Sequence, residues 1–440
     1  MDLTDADTGE GRLAIVHYGE HCPLDAGYRP ARMGQLAGWL TEAGAAVTRF
    51  VPSYSPFAKQ QRPLDWSGTE TDEGVVQMIP TRAYETSVSL TRAGFLRDFA
   101  RGTAARAAEL PPFDGIIVGY PPPGVVTGLR RSLGSGIPIL ADIRDLWPDA
   151  LVPSHRRGVL AVAHVLGHVL AAELRLADGV VAMSPTILRR APKSNRLSPI
   201  SPAIQPSLTR VVSTSGSADR FTGEPAGGPA AASADTSTED GERGLRATFV
   251  GSFTQGVDLP ALFGGWRLFL TVRDRTKPTP SLVVCGDGER ANEVKELTDG
   301  LDGVKLLGRV EPSAVREHLV DADVGIAATR PGFGTTFSNK VIEYIGSGLF
   351  VLNSLEPESA RELEQRGLGQ VVPPSPEGWA AGFAAVERRL TDLRRDRGKR
   401  QIIAIQHYGR AAIEPRWMAV LNRIGVTVIP TTGEAISFNV

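Results

Sequence analysis

The residues with the clearest chemical potential lie in TRPGFGTTFSNKVIEYIGSG, positions 329–348. A glycine-rich loop runs into an amphipathic stretch, with Ser338 placed to cap a helix and Lys340 in its first turn. The free amides of a first turn and the helix dipole attract an anion. A lysine there opposes the dipole unless an anion is expected. Glu343 follows one turn later on the same side and suits a pair of vicinal hydroxyls. Phosphate plus diol is the signature of a nucleotide diphosphate sugar. A second glycine-rich turn, CGDGERA (285–291), matches G-x-G-x-x-A after a strand. It does not follow the first strand of its domain, ATFVGSF, and no acid closes the next strand, VKLLGRV, so a nucleotide approaching the backbone is preferred to NAD. Asp321-Ala322-Asp323 is a D-x-D, read as a helix end rather than a metal site, and no His/Cys/Asp cluster has ligand spacing.

These segments need a scaffold, and the apolar pattern supplies one. RLAIVHY (12–18) reads as a buried strand, 31–44 as a helix with Met33, Leu36, Ala37 and Leu40 on one face, and AAVTRFVPS (45–53) as a second strand. That is a βαβ unit, so the sheet should be parallel. FDGIIVGYPPP (113–123), PILADIRDLWP (138–148) and DGVVAMSP (178–185) repeat the design. The run 158–177 is expected to be a buried, mostly apolar helix. Segment 90–106 carries Arg92, Arg97, Arg101 and Arg106 around Phe95, Leu96 and Phe99. It is a candidate basic amphipathic helix for peripheral contact with an anionic membrane, its two glycines weakening the helix.

A second βα series follows a Pro/Ser/Gly/Ala-rich stretch. The expected organisation is a first domain over 1–190, a linker over 191–245 with a disordered insertion at about 221–243, a second domain over 246–398, and a helical tail over 399–440 that packs back on the first domain. The fold class is α/β, two Rossmann-like, doubly wound parallel-sheet domains. Ligands of such sheets sit outside the carboxyl ends of the strands. Asp145 ends a strand at that edge, with Arg144 beside it and Asp142 nearby, and Gly27, Tyr28 and Arg32 follow strand one. His17 and His21 are nearby and are read as structural.

The 440 residues leave room for two such cores, and 48 basic against 49 acidic residues give no support to a nucleic-acid binder. Two distant cysteines, Cys22 and Cys285, form no framework, the N-terminus MDLTDADTGEGR is too polar for a secretory signal, and no apolar run approaches about 20 residues. The expected location is the cytoplasm, with the inner face of the membrane as the place for any contact through 90–106.

The chain resembles family 4 retaining glycosyltransferases of the GT-B fold, of the polysaccharide and natural-product type. The carriers are the N-terminal strand with its loop and Gly27-Tyr28-Arg29, IRDLWPDAL (143–151), FVGSF (249–253), CGDGE (285–289), LLGRV (306–310) and SNKVIEYIGSG (338–348). The resemblance implies that Ser338, Asn339 and Lys340 contact the donor diphosphate and Glu343 the ribose. It implies that Gly308, Arg309 and Val310 hold the base, that Gly251, Ser252, Gly286 and Asp287 line the donor side, and that Asp145 orients or deprotonates the acceptor hydroxyl. Gly27, Tyr28, Arg32 and Arg144 would serve the acceptor side. Many members carry an acid eight residues before the last glutamate, where this chain has Thr335, and Arg and Lys after the glycine at 251, where it has GSFTQGVD. Diphosphate neutralisation would then rest on Lys340, the helix start and Arg309 or Arg330. The implied activity is transfer of a sugar, from a UDP-sugar first of all, to a hydroxyl of a lipid-linked saccharide or natural product, without metal or other cofactor. The alternatives are an inactive nucleotide-sugar-binding partner protein and a sugar-nucleotide 2-epimerase.

Overall fold

The structure is a computed structural model, and it describes residues 11–86, 89–144, 157–189, 191–204, 243–331, 338–355 and 357–427. The expected insertion at 221–243 lies almost wholly outside these residues. The chain divides into two compact units. One comprises 1–203, 332–339 and 407–440, the other 204–331 and 340–406.

Among the described residues the first unit has ten strands: β1 (Arg12–Val16), β2 (Ala46–Pro52), β3 (Tyr54–Ser55), β4 (Gln60–Gln61), β5 (Glu70–Thr71), β6 (Gly74–Ile79), β7 (Gly115–Tyr120), β8 (Ile139–Ile143), β9 (Gly179–Ala182) and β10 (Arg196–Pro199). Eight form one sheet in the order β10-β9-β8-β7-β1-β2-β6-β5, while β3 and β4 make a separate hairpin. Every neighbour pair in the large sheet is parallel except β5–β6. The strand order reverses between β1 and β7, the point where a doubly wound sheet opens a crevice. Buried aliphatics explain the central strands: Leu13, Ala14, Ile15 and Val16 of β1 are almost wholly covered. The helix Arg32–Glu42 buries Met33, Leu36, Ala37 and Leu40 against one face. It ends because Gly44 takes a left-handed φ of 92° and Ala45 N–H returns to the Leu40 carbonyl.

Helix Leu90–Glu109 forms despite its glycines. Ser89 caps it, Phe95, Leu96 and Phe99 enter the core, and Gly102 is where a side chain would meet Ile79 at 2.6 Å. Helix Arg157–Leu174 differs from the expected buried helix, because Val165 and Val169 are exposed along with His164 and His168. The helix Arg410–Arg423 belongs to the first unit, placing Ile413, Trp417, Val420 and Leu421 in the same cluster as Met33 and Leu36.

Among its described residues the second unit has six strands: β11 (Arg246–Val250), β12 (Ser281–Cys285), β13 (Val304–Gly308), β14 (Val324–Ala327), β15 (Phe350–Asn353) and β16 (Gly369–Val371). They form one parallel sheet in the order β13-β12-β11-β14-β15-β16, reversing between β11 and β14. Trp266, Phe269, Trp379 and Phe383 fill the layer between helices Leu259–Val272 and Pro376–Arg388. No described helix is long and apolar enough to cross a membrane.

Candidate functional site

The second unit gathers its chemistry at the β11/β14 switch point. Helix Asn339–Gly346 begins there, and Lys340 is its second residue. The lysine is half-buried, and its Nζ lies 4.6 Å from the centre of the Phe249 ring on β11. Burial brings its ammonium down to about 8, against an opposing pull from Glu343. Gly251 follows β11 at φ 144°, and a Cβ there would stand 3.4 Å from Lys340 Nζ. Gly286 is more tightly constrained, since a Cβ would fall 2.0 Å from the Gly251 carbonyl oxygen. These glycines let two chain turns and a lysine meet with no side chains between them.

Backbone bonds tie the turns together. Gly251 N–H donates to Cys285 O, Gly286 N–H to Gly308 O and Phe253 N–H to Asp287 O. Asp287 is exposed, and its Oδ1 accepts from Gly288 N–H at 2.8 Å. Gly308 turns at φ 66° with open space around it, Arg309 and Ser252 are exposed, and Val310 is half-buried. Thus Gly251, Gly286, Gly308 and Lys340 come together as a lined turn. Asn339 is exposed and Glu343 half-buried on the helix. Ser338 precedes the helix, but the expected capping bond is not made: its Oγ is buried without a hydrogen-bond partner. The loop 332–337, including Thr335, lies outside the described residues.

Two contributors were not legible in advance. Phe249 forms the floor under Lys340. Tyr344, one turn beyond the lysine, accepts Val250 N–H at 2.7 Å and anchors the helix to β11. The i, i+4 spacing of Lys340 and Tyr344 was the available signal.

In the first unit the expected acceptor-side residues are distributed differently. Arg32 does not face an open surface. It is buried, bonds both oxygens of buried Asp142 at 2.8 Å, and stacks its guanidinium 4.7 Å from the Trp417 ring. Tyr28 is also engaged internally, its hydroxyl donating to Glu73 and accepting from Arg49. Gly27 is exposed and turns at φ 67°. Asp145 lies outside the described residues. Arg144 sits just past β8 and donates to Glu20 Oε1 at 2.7 Å and to His17 Nε2.

Glu20 was missed by sequence reasoning. It is buried, and its oxygens accept Met33 and Gly34 amides at the start of helix Arg32–Glu42. Desolvation pushes its carboxyl up, but His17, Arg144, the Met33 amide and Arg49 together outweigh it and hold the group down to about 2. Glu173 acts similarly, accepting from Gly124 and Thr127 amides at the start of helix Val125–Leu133. Asp323 of the D-x-D accepts Arg246 N–H and pairs with Arg394, which makes it a structural residue. Among the described residues no group of three or more His, Cys, Asp and Glu is arranged to hold a metal.

With this geometry in view, residues 247–389, about a third of the chain, match the family model for glycosyl transferases group 1. No curated protein matches the chain. Among solved structures, sucrose-phosphate synthase from Thermosynechococcus elongatus is similar at TM-score 0.67 and 16% identity, over 94% of this chain and 99% of that one. A glycosyltransferase from Rickettsia africae ESF-5 gives 0.60 and 13%, over 94% and 98%. Anabaena HepE in complex with UDP-glucose gives 0.60 and 14%, over 94% and 99%. The fold is GT-B. At these identities the likeness carries the architecture, and the chemistry must be argued from the residues.

Proposed function

We propose that this chain is a retaining, metal-independent glycosyltransferase that takes its sugar from a nucleotide diphosphate, UDP in the first instance, and passes it to a hydroxyl group. The observation that carries the reading is Lys340, half-buried at a helix start beside Gly251 and above Phe249. A half-buried cation at a helix start is unfavourable unless an anion completes it. The group 1 match over 247–389 covers this whole assembly. HepE, of the same fold, was solved with UDP and with UDP-glucose, which supports UDP as the nucleotide.

In the proposed reaction the bond from the sugar's anomeric carbon to the β-phosphate oxygen breaks. A bond to the acceptor oxygen forms on the same face, and the acceptor proton leaves with the diphosphate. Negative charge grows on the leaving oxygen. Lys340 and the amides of 339–341 are fixed before the reaction and need not reorganise to meet it. Glu343 would accept from the ribose hydroxyls, while the backbone around Gly308, Arg309 and Val310 would hold the base. A role for Asp145 at the acceptor hydroxyl rests on the resemblance alone, as does a lipid-linked or natural-product acceptor.

The test is calorimetric titration with UDP, GDP, dTDP and NAD, followed by hydrolysis of the matching nucleotide sugar. One diphosphate should bind, Lys340→Ala and Glu343→Ala should weaken it, and slow sugar release should follow. Binding of NAD alone would overturn the reading. Binding without any turnover, with or without acceptors, would leave a nucleotide-sugar-binding partner protein in its place.

A further inference from the structure

His17 directly follows β1 at the β1/β7 switch point, where a doubly wound sheet receives its ligand. It is 6% exposed. Gly119 of β7 leaves room for it, since a Cβ there would lie 2.3 Å from His17 Cδ2. Arg144 approaches the ring through Nε2. A guanidinium can only donate, so Nε2 must accept and the ring proton must reside on Nδ1. That Nδ1 is buried and has no hydrogen-bond partner. A buried N–H left unpaired is costly, and at a strand end on the switch point a bound oxygen is what would complete it.

The neighbours define what the ligand would be. Glu20 does not satisfy the Nδ1–H: its oxygens take Arg144 and the amides of Met33 and Gly34 instead. It also offsets both the charge of Arg144 and the positive end of helix Arg32–Glu42. The ring itself stays neutral, burial holding it down at about 3, with Glu20 opposing and Arg144 and Arg49 assisting. The site therefore offers a neutral N–H in balanced surroundings, which suits an uncharged oxygen.

Resting on the proposed function, we propose that His17 is a substrate-binding residue whose Nδ1–H donates to a neutral sugar hydroxyl, Arg144 and Glu20 being the positioning residues that fix its tautomer. That hydroxyl belongs either to the transferred sugar or to a saccharide acceptor.

Two side chains separate this role from packing. Asn keeps an N–H near the Nδ1 position, whereas Gln places its amide near Nε2. In the full chain, His17→Gln should lower turnover of whichever nucleotide sugar is used about tenfold, as expected for one lost neutral hydrogen bond. His17→Asn should recover to within about threefold. UDP affinity should be unchanged in both. Loss in hydrolysis assigns the hydroxyl to the donor sugar. Loss only in transfer to methyl α-D-glucoside or maltose assigns it to the acceptor. Imidazole nitrogen NMR of the wild type should show a neutral ring protonated at Nδ1, and that signal should shift with UDP-glucose or methyl α-D-glucoside. A ring protonated at Nε2 overturns the proposal. So does an unmoved signal with both probes, or equal activity in the Asn and Gln variants. If wild-type protein binds no nucleotide diphosphate, the proposed function fails instead, whatever the tautomer.

Discussion

Raising the pH should weaken diphosphate binding through Lys340 alone. In the free protein burial brings this lysine to about 8. Its charged fraction is then about 0.9 at pH 7 and about 0.1 at pH 9. A bound diphosphate stabilises the charged form and moves the group back toward its ordinary 10.5. Binding at pH 9 must therefore recruit about 0.9 of a proton, and the dissociation constant should rise about tenfold between pH 7 and pH 9. The terminal phosphate of UDP, with its second ionisation near about 6, is already largely deprotonated and adds little opposing slope. Calorimetry in two buffers of different ionisation enthalpy reads the proton uptake directly. Lys340→Met keeps the apolar stem but removes the charge. It should lose about 2 kcal/mol of affinity at pH 7, the scale of a charge-assisted hydrogen bond, and show no pH slope. A wild-type dissociation constant that is flat from pH 7 to 9, with Lys340→Met binding UDP as tightly, would refute the placement of the phosphate at this lysine.

Three further outcomes follow from particular contacts. Arg32→Met should cost about 3–5 kcal/mol of stability by leaving Asp142 buried and unpaired, and Arg32→Met with Asp142→Leu should recover much of it. Denaturant unfolding checks this, and equal instability of the double variant would contradict a closed structural pair. Gly286→Ala should abolish UDP binding or folding because its Cβ overlaps the Gly251 carbonyl, whereas Gly308→Ala meets only the left-handed φ and should cost about 1–2 kcal/mol. A thermal-shift comparison of the two separates steric overlap from backbone strain. Acid should destabilise the first unit: His17 takes its proton at 6.5 when unfolded but only near about 3 when folded, so stability falls as pH drops below 6.5. The slope is about 1.4 kcal/mol per pH unit. Glu20, folded near about 2 against 4.5, adds to the loss below pH 4.5. His17→Asn should flatten the melting temperature between pH 6.5 and 5.

Parallel pairing was legible because buried aliphatic runs such as RLAIV and SLVVC alternate with helical periodicity and glycine stops, whereas the order of the strands within each sheet came only from the structure. The meeting of Gly251, Gly286 and Lys340 was legible for a related reason: glycines directly follow the ends of β11 and β12, and a lysine stands in the first turn of a helix. Polar side-chain pairs across long sequence separations were not. Nothing local says that Arg32 will meet Asp142, 110 positions away, or that Tyr28 will meet Glu73. An arginine near a strand end looks the same whether it serves a ligand or an internal carboxylate. The exposed Val165 and Val169 mark the opposite error, since apolar composition alone cannot tell which face of a helix the fold covers.

The same local device is used in opposite senses by the two units. A helix start at the carboxyl edge of a parallel sheet is an anion site by construction. In the first unit the protein fills two of them itself, with Glu20 at helix Arg32–Glu42 and Glu173 at helix Val125–Leu133. Those starts are discharged, and Arg144 is neutralised by the same Glu20. In the second unit the chain instead places a lysine, Lys340, at the start of helix Asn339–Gly346. Under the proposed function, positive charge accumulates where the diphosphate would leave and is cancelled where a hydroxyl would arrive. A sugar acceptor needs directional hydrogen bonds rather than net charge, and the unpaired Nδ1–H of His17 is a donor of that kind. Putting a glutamine at Glu20 would remove the plug, so the first unit should then acquire weak affinity for inorganic phosphate, detectable by calorimetry, that the wild type lacks.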